Sequence, residues 1–163
     1  MRSLSSPTNE LIAIDPSIRA LGWAYFYAGK LMSAGTVKAE SLAGMMDALW
    51  SVRRGLLGGS SCEADVVIEQ PKIYPVRKWK GDPNDMIQTA MAAGAAAARF
   101  DPCGGAKLLL VEPHAWKGNR PKDVDNAYTL RLLSVTERQK LGKKPDHNVI
   151  DAVGLGLWAL RRR

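Results

Sequence analysis

The stretch LIAIDPSIRALGWAYFYAGKLMSAGTV, residues 11–37, decides the fold. Four apolar residues run into Asp15 and Pro16, and proline cannot continue a strand ladder, so a buried strand over residues 11–14 ends at Asp15. Residues 20–27 are rich in aromatics and predict a second strand. Ala28-Gly29-Lys30 is a turn, and residues 31–37 predict a third strand. Short spacings and a glycine in the turn make these three an antiparallel meander.

Beyond the meander the pattern alternates. Residues 41–57 have helical spacing, with Met45, Leu49, Val52 and Leu56 on one face, and the run Gly58-Gly59-Ser60-Ser61 closes them. Residues 65–68 predict a strand that ends at Glu69. Three prolines and one glycine between residues 70 and 83 exclude regular structure there. Residues 84–100 predict a helix with a long alanine run. Gly94 inside it costs about 1 kcal/mol against alanine, which predicts close packing at that point. Residues 107–111 form a further strand ending at Glu112-Pro113, and Trp116-Lys117-Gly118 reads as a turn. Residues 121–134 predict a helix opened by proline. A charged connector over 137–145 leads to Asp146, which caps a last helix over 147–160. A meander followed by strands reached through helices is an α/β arrangement, a mixed sheet whose later strands lie parallel to the first and whose helices cover both faces.

Composition narrows the class. The chain has 163 residues, 46% hydrophobic and 24% charged, which is one globular domain rather than a disordered chain. Its expected organisation is a single domain over 1–163 with a flexible tail over residues 1–9. No apolar run approaches the ~18 residues of a membrane helix, and the polar N-terminus makes the cytoplasm of a bacterial cell the expected compartment. Cys62 and Cys103 stand alone, which excludes a disulfide framework and zinc spacing. The net charge of +7 points to a polyanionic partner, nucleic acid first.

The acids carry the chemistry. Asp15 and Glu69 each end an apolar strand at the carboxyl edge, where open sheets place their ligands. Asp151 lies among Val149, Ile150 and Val153 in the last helix, on one face with Asn148 at i−3 and His147 at i−4. Each acid alone is unremarkable: an Asp before Pro forms turns, and a Glu after a strand is usually solvated. Gathering all three in an apolar setting needs a positive partner, and a divalent cation with oxygen ligands, Mg²⁺ or Mn²⁺, supplies it.

The segments IAIDPSIRALGWA (12–24), VVIEQPKIY (66–74) and HNVIDAVGLGLWA (147–159), in this order and spacing, resemble the RuvC family of Holliday-junction resolvases. The resemblance implies an RNase H-like sheet of strand order 3-2-1-4-5 and a structure-specific endonuclease that acts on four-way or branched DNA. It implies hydrolysis with two Mg²⁺ or Mn²⁺ ions, one activating water and one stabilising the leaving oxygen, to leave 5′-phosphate and 3′-hydroxyl ends. By position Asp15, Glu69 and Asp151 match three of the family's four metal ligands. The fourth, usually Asp or His, is Asn148 here; its carbonyl can coordinate, and His147 is the neighbouring substitute. Lys117 and Lys122 match the family's functional lysines. Tyr74 falls where the family places a wedge residue at the crossover, and residues 84–100 fall where it dimerises, so a homodimer is implied.

DNA contact is expected from the loop after Glu69, where Lys72, Arg77, Lys78 and Lys80 interleave with Tyr74 and Trp79. Cations neutralise phosphates and aromatics stack on unpaired bases. Arg120 lies in a second basic stretch, 107–122, and Arg161 to Arg163 form either a backbone-binding tail or a cationic helix end. Two other classes compete. A non-cutting branched nucleic-acid binding module would follow from the uncharged Asn148. An actin-like ATPase would need a glycine-rich hairpin after the first Asp, where this chain has Pro16-Ser17-Ile18-Arg19.

Overall fold

The first strand, β1 (Glu10–Asp15), is the middle of a five-stranded sheet, and its apolar residues are buried on both sides. That double burial is why it reads as a continuous apolar run rather than an alternation. The computed structural model describes residues 9–57, 64–73, 82–100 and 106–162. β2 (Leu21–Tyr27) pairs antiparallel with β1, and β3 (Lys30–Val37) pairs antiparallel with β2. Ala28 and Gly29, which join β2 to β3, have φ of 49° and 75°. Two positive φ values in a two-residue loop suit the right-handed twist of a hairpin. Ala28 N–H donates to the Asn9 carbonyl at 2.7 Å, so the last residue of the expected tail is tied to the hairpin; residues 1–8 lie outside the described residues.

α1 (Leu42–Leu57) leads to β4 (Asp65–Glu69), parallel to β1, and α2 (Pro83–Arg99) leads to β5 (Leu108–Val111), parallel to β4. The order is β3-β2-β1-β4-β5, as the family resemblance implies. α3 (Pro113–Lys117), α4 (Lys122–Leu132), α5 (Val135–Gln139) and α6 (His147–Ala159) complete the chain. Alternate residues of β1 serve two cores. Ile12 and Ile14 join Met45, Leu49 and Phe100 beneath α1 and α2, while Leu11 and Ala13 join Val149, Val153 and Leu157 of α6 on the other face. Among the described residues no helix is long and apolar enough to cross a membrane.

The structure corrects several expectations. α1 is rotated from the predicted face: Met45, Met46, Leu49, Arg53 and Leu57 are buried, and Val52 and Leu56 only partly. Arg53 is accepted inside because its guanidinium lies 4.9 Å from the Trp50 ring and 5.3 Å from that of Phe100. Gly94 is not closely packed, since a Cβ there would meet nothing within 4 Å. The predicted turn at Trp116-Lys117-Gly118 is the end of α3, which starts with proline at its first position and stops at Gly118 with φ 62°. α5 runs into the start of the predicted connector, through Gln139, and its Ser134 and Glu137 form a capping box.

Candidate active site

The parallel pairing of β1 with β4 runs to Ile14 opposite Ile68, so the next residues, Asp15 and Glu69, end neighbouring strands at one sheet edge. Adjacent strands lie roughly 5 Å apart. The third acid arrives on α6, and a glycine determines how closely. Gly22 is the antiparallel partner of Asp15, and a Cβ on it would lie 2.0 Å from the Asn148 carbonyl oxygen. The first turn of α6 is thus pressed onto β2 opposite Asp15, which a side chain at position 22 would prevent. Asn148, buried in that turn, donates through Nδ2 to the Ala20 carbonyl at 2.6 Å. Asp146 caps the helix by accepting from Asn148 N–H at 3.1 Å. Asp151 follows one turn later.

Asp15 is 7% exposed, and its burial, then repulsion from Glu69 and Asp151, pushes its carboxyl well above the usual range against the pull of Lys117 and Lys122. Burial also pushes Glu69 up, opposed chiefly by Lys117. Burial alone would lower the Lys117 pKa, but Glu69, Asp151 and Asp15 outweigh it and hold it above the ordinary lysine value. Lys117 Nζ is 3.1 Å from Glu69 Oε2 and 4.7 Å from the Trp116 ring centroid. Lys122, at the exposed start of α4, acts on Asp15 through its charge.

The donor set is hard oxygen, which suits Mg²⁺ or Mn²⁺, and the repulsion at Asp15 is what a bound dication relieves. As the side chains stand, no group of three or more His, Cys, Asp or Glu among the described residues is gathered closely enough to hold one ion.

The other expected site residues divide. His147 is on the surface, with a 56% exposed side chain and Nδ1 3.1 Å from Asp146 Oδ1, whereas Asn148 is buried at the sheet edge. Lys72 pairs with Glu112 at 2.5 Å, both side chains about half exposed. Arg120 is already matched: Nε donates to the buried Asp125 at 2.6 Å, and the guanidinium lies 4.6 Å from the Tyr128 ring centroid. That contact closes the junction between α3 and α4. Tyr74, Arg77, Lys78, Trp79 and Lys80 lie outside the described residues. Arg162 is not a free tail, because its guanidinium grips Glu137 through both terminal nitrogens.

Sequence reasoning missed Trp116. Its indole N–H donates to Glu69 Oε2 at 2.7 Å, although 47 residues separate the two. The available signal was Glu112-Pro113, which marks a helix start and would have placed Trp116 and Lys117 together on one short helix.

No protein-family model matches this chain, and no curated protein matches it. Solved structures do. Thermus thermophilus RuvC in complex with a Holliday junction substrate aligns over 91% of this chain and 90% of its own, with TM-score 0.59 and 19% identity. A second Thermus thermophilus RuvC structure aligns over 91% of both chains, with TM-score 0.53 and 18% identity. Likeness over nine-tenths of both molecules, together with a mixed sheet of order β3-β2-β1-β4-β5, gives this chain the RNase H-like fold of RuvC.

Proposed function

We propose that this protein is a metal-dependent endonuclease of the RuvC type, hydrolysing phosphodiesters in four-way or otherwise branched DNA. One observation carries the proposal: Asp15 and Glu69 end neighbouring parallel strands at the carboxyl edge of a RuvC-like sheet, and α6, which bears Asp151, is pressed against that edge at Gly22. The likeness to a RuvC structure determined with a Holliday junction supports branched DNA as the substrate class.

Asp15, Glu69 and Asp151 would hold Mg²⁺ or Mn²⁺, with Asn148 as the fourth ligand in preference to the outward His147. The bound ions would activate water and stabilise the leaving 3′ oxygen, leaving a 5′-phosphate. Lys117, whose pKa the surrounding acids raise, would stabilise the charge that develops on the phosphoryl oxygens. Lys122 adds a second positive field. Lys72, Tyr74, Arg77, Lys78, Trp79 and Lys80 would track and stack on the DNA. Arg120 is left to its structural role.

Symmetric nicking requires two sites, and a two-fold dimer through the 84–100 region supplies them. On α2, Ile87 and Met91 are each 57% exposed, and Gly94 has open space beside it. A second copy covers that face in this proposal, and sedimentation analysis gives a dimer mass if it is right. The bacterial cytoplasm remains the proposed compartment.

The second reading, a branched-DNA binding module, is favoured by the uncharged Asn148 and by acids that do not yet gather into a ligand set. A labelled four-way junction separates the two. Incubation with Mg²⁺ should nick it in paired strands, and EDTA, Asp15→Asn or Glu69→Gln should stop the cutting but leave the binding. Binding without cutting under every condition returns the binding module.

A further inference from the structure

We infer that Trp116 is a positioning residue that holds Glu69 for metal binding and ties it to the helix bearing Asp151. The inference rests on the nuclease proposal and deepens it. Three observations place the indole between Glu69 and the helix that bears Asp151. Its N–H donates to Glu69 Oε2 at 2.7 Å. Its six-membered ring lies against α6 at Gly154, where a Cβ would meet ring carbon Cζ3 at 2.8 Å. The side chain is 6% exposed, so neighbours rather than solvent fix its orientation.

Gly154 is three residues after Asp151, hence on the same face of α6. The indole therefore spans from the helix of one acid to the carboxylate of another. Lys117 Nζ reaches the same Oε2 at 3.1 Å, so adjacent residues of α3 both hold Glu69 by one oxygen. The two donors differ in chemistry. The ammonium is mobile and charged, and it competes with a cation for Glu69. The indole is rigid and neutral, and it orients the carboxylate without opposing a dication. Hydrogen-bond partners of this kind fix ligand geometry, and losing one typically lowers metal affinity or activity about 10- to 100-fold.

The test compares wild type with Trp116→Phe, which keeps a ring against Gly154 and removes the N–H. Direct Mn²⁺ binding, followed by the electron paramagnetic resonance of the free ion, should weaken about 10-fold. The kcat for junction cutting should fall by a similar factor, with KM and junction affinity in EDTA unchanged. Glu69→Ala and the Glu69→Ala/Trp116→Phe double variant keep the test decisive if Trp116→Phe also lowers stability. Once Glu69 is absent, removing the indole N–H should weaken Mn²⁺ binding no further. Equal Mn²⁺ affinity and kcat in Trp116→Phe and wild type overturn the inference, as does the same further loss in the Glu69→Ala background. A wild type that binds no Mn²⁺ and cuts no junction overturns the nuclease proposal and this inference with it. A wild type that does both, beside an unaffected Trp116→Phe, overturns the inference alone.

Discussion

Two of the buried carboxylates among the described residues, Glu137 and Asp15, are built in opposite ways. Glu137, 5% exposed, is surrounded by donors. Oε1 accepts from Leu31 N–H at 2.9 Å and Arg162 Nη1 at 2.5 Å, and Oε2 accepts from Ser134 N–H at 2.9 Å, Ser134 Oγ at 2.8 Å and Arg162 Nη2 at 3.0 Å. The Arg162 fork, with the backbone donors, holds its carboxyl far below the ordinary range despite burial. Asp15 is as deeply buried, but its nearest charged company includes Glu69 and Asp151, and its carboxyl is pushed the other way. One site joins α5, the hairpin and the chain end into the fold. The other sets Asp15 beside two further acids at the sheet edge, the feature on which the proposed cation site rests.

The largest effect expected from breaking this contrast comes at the acid edge. Asp15→Asn should lower junction cutting roughly 10³-fold, because several kcal/mol of transition-state stabilisation depend on the bound metal. The same variant should melt higher than wild type in EDTA, since it removes one of the mutually repelling acids. Cutting assays and thermal melts on one preparation check both, and a variant that cuts normally would end the assignment of Asp15.

Next in size is the opposite site. Glu137→Ala leaves the Arg162 charge and Leu31 N–H without their partner and should cost about 3 kcal/mol, the lower end for a broken buried pair because Arg162 is partly exposed. At this chain length that is a fall in Tm of roughly 10 °C. Cutting per folded molecule should not change, and a specific loss of turnover would contradict a purely structural role.

Gly22→Ala comes third. Its Cβ would run into the backbone of Asn148, which cannot swing aside as a flexible side chain would. About 2 kcal/mol of destabilisation is expected from such overpacking. Cutting should fall as well, because α6 and Asp151 are moved from Asp15. Cutting that survives a measured displacement of α6 would show that Asp151 is dispensable.

The smallest effect is a difference in pH dependence. The Glu137 contribution, from a lowered pKa, is complete above the unfolded value of ~4 and is lost as pH falls below it. The Asp15 penalty, from a raised pKa, is absent below ~4 and grows as pH rises toward its folded value. In EDTA, the stability gap between wild type and Glu137→Gln should close on acidification, and the gap between Asp15→Asn and wild type should open on going to neutral pH. Urea melts at a series of pH values read both as wild type minus variant: the difference from Glu137→Gln should rise with pH and the difference from Asp15→Asn should fall, and two differences that change in the same direction would show that the two sites do not differ as described.

Much of the fold is legible in the chain because its signals are local. Pro16 ends β1 whatever surrounds it, Ala28-Gly29 turns the hairpin, and Asp146 caps α6 through a hydrogen bond two residues away. Asp15, Glu69 and Asp151 could be chosen because each interrupts an apolar run. Arg53, Arg120 and Arg162 were less legible. Each looks like a surface cation in sequence, and each is held by partners that only folding brings near: the Phe100 ring, the buried Asp125, and Glu137.

The sequence by itself therefore determined the order of the five strands with α1, α2, α4 and α6, and the strand ends that carry Asp15 and Glu69. Periodicity, proline and capping act over a few residues, so they survive without a tertiary context. Tertiary structure alone decided which groups meet: Asn148 against Gly22, Trp116 between Glu69 and Gly154, and Arg162 on Glu137 rather than on solvent. Those contacts join residues remote in the chain, and their energies depend on burial and on ångström-scale distances that no local pattern encodes.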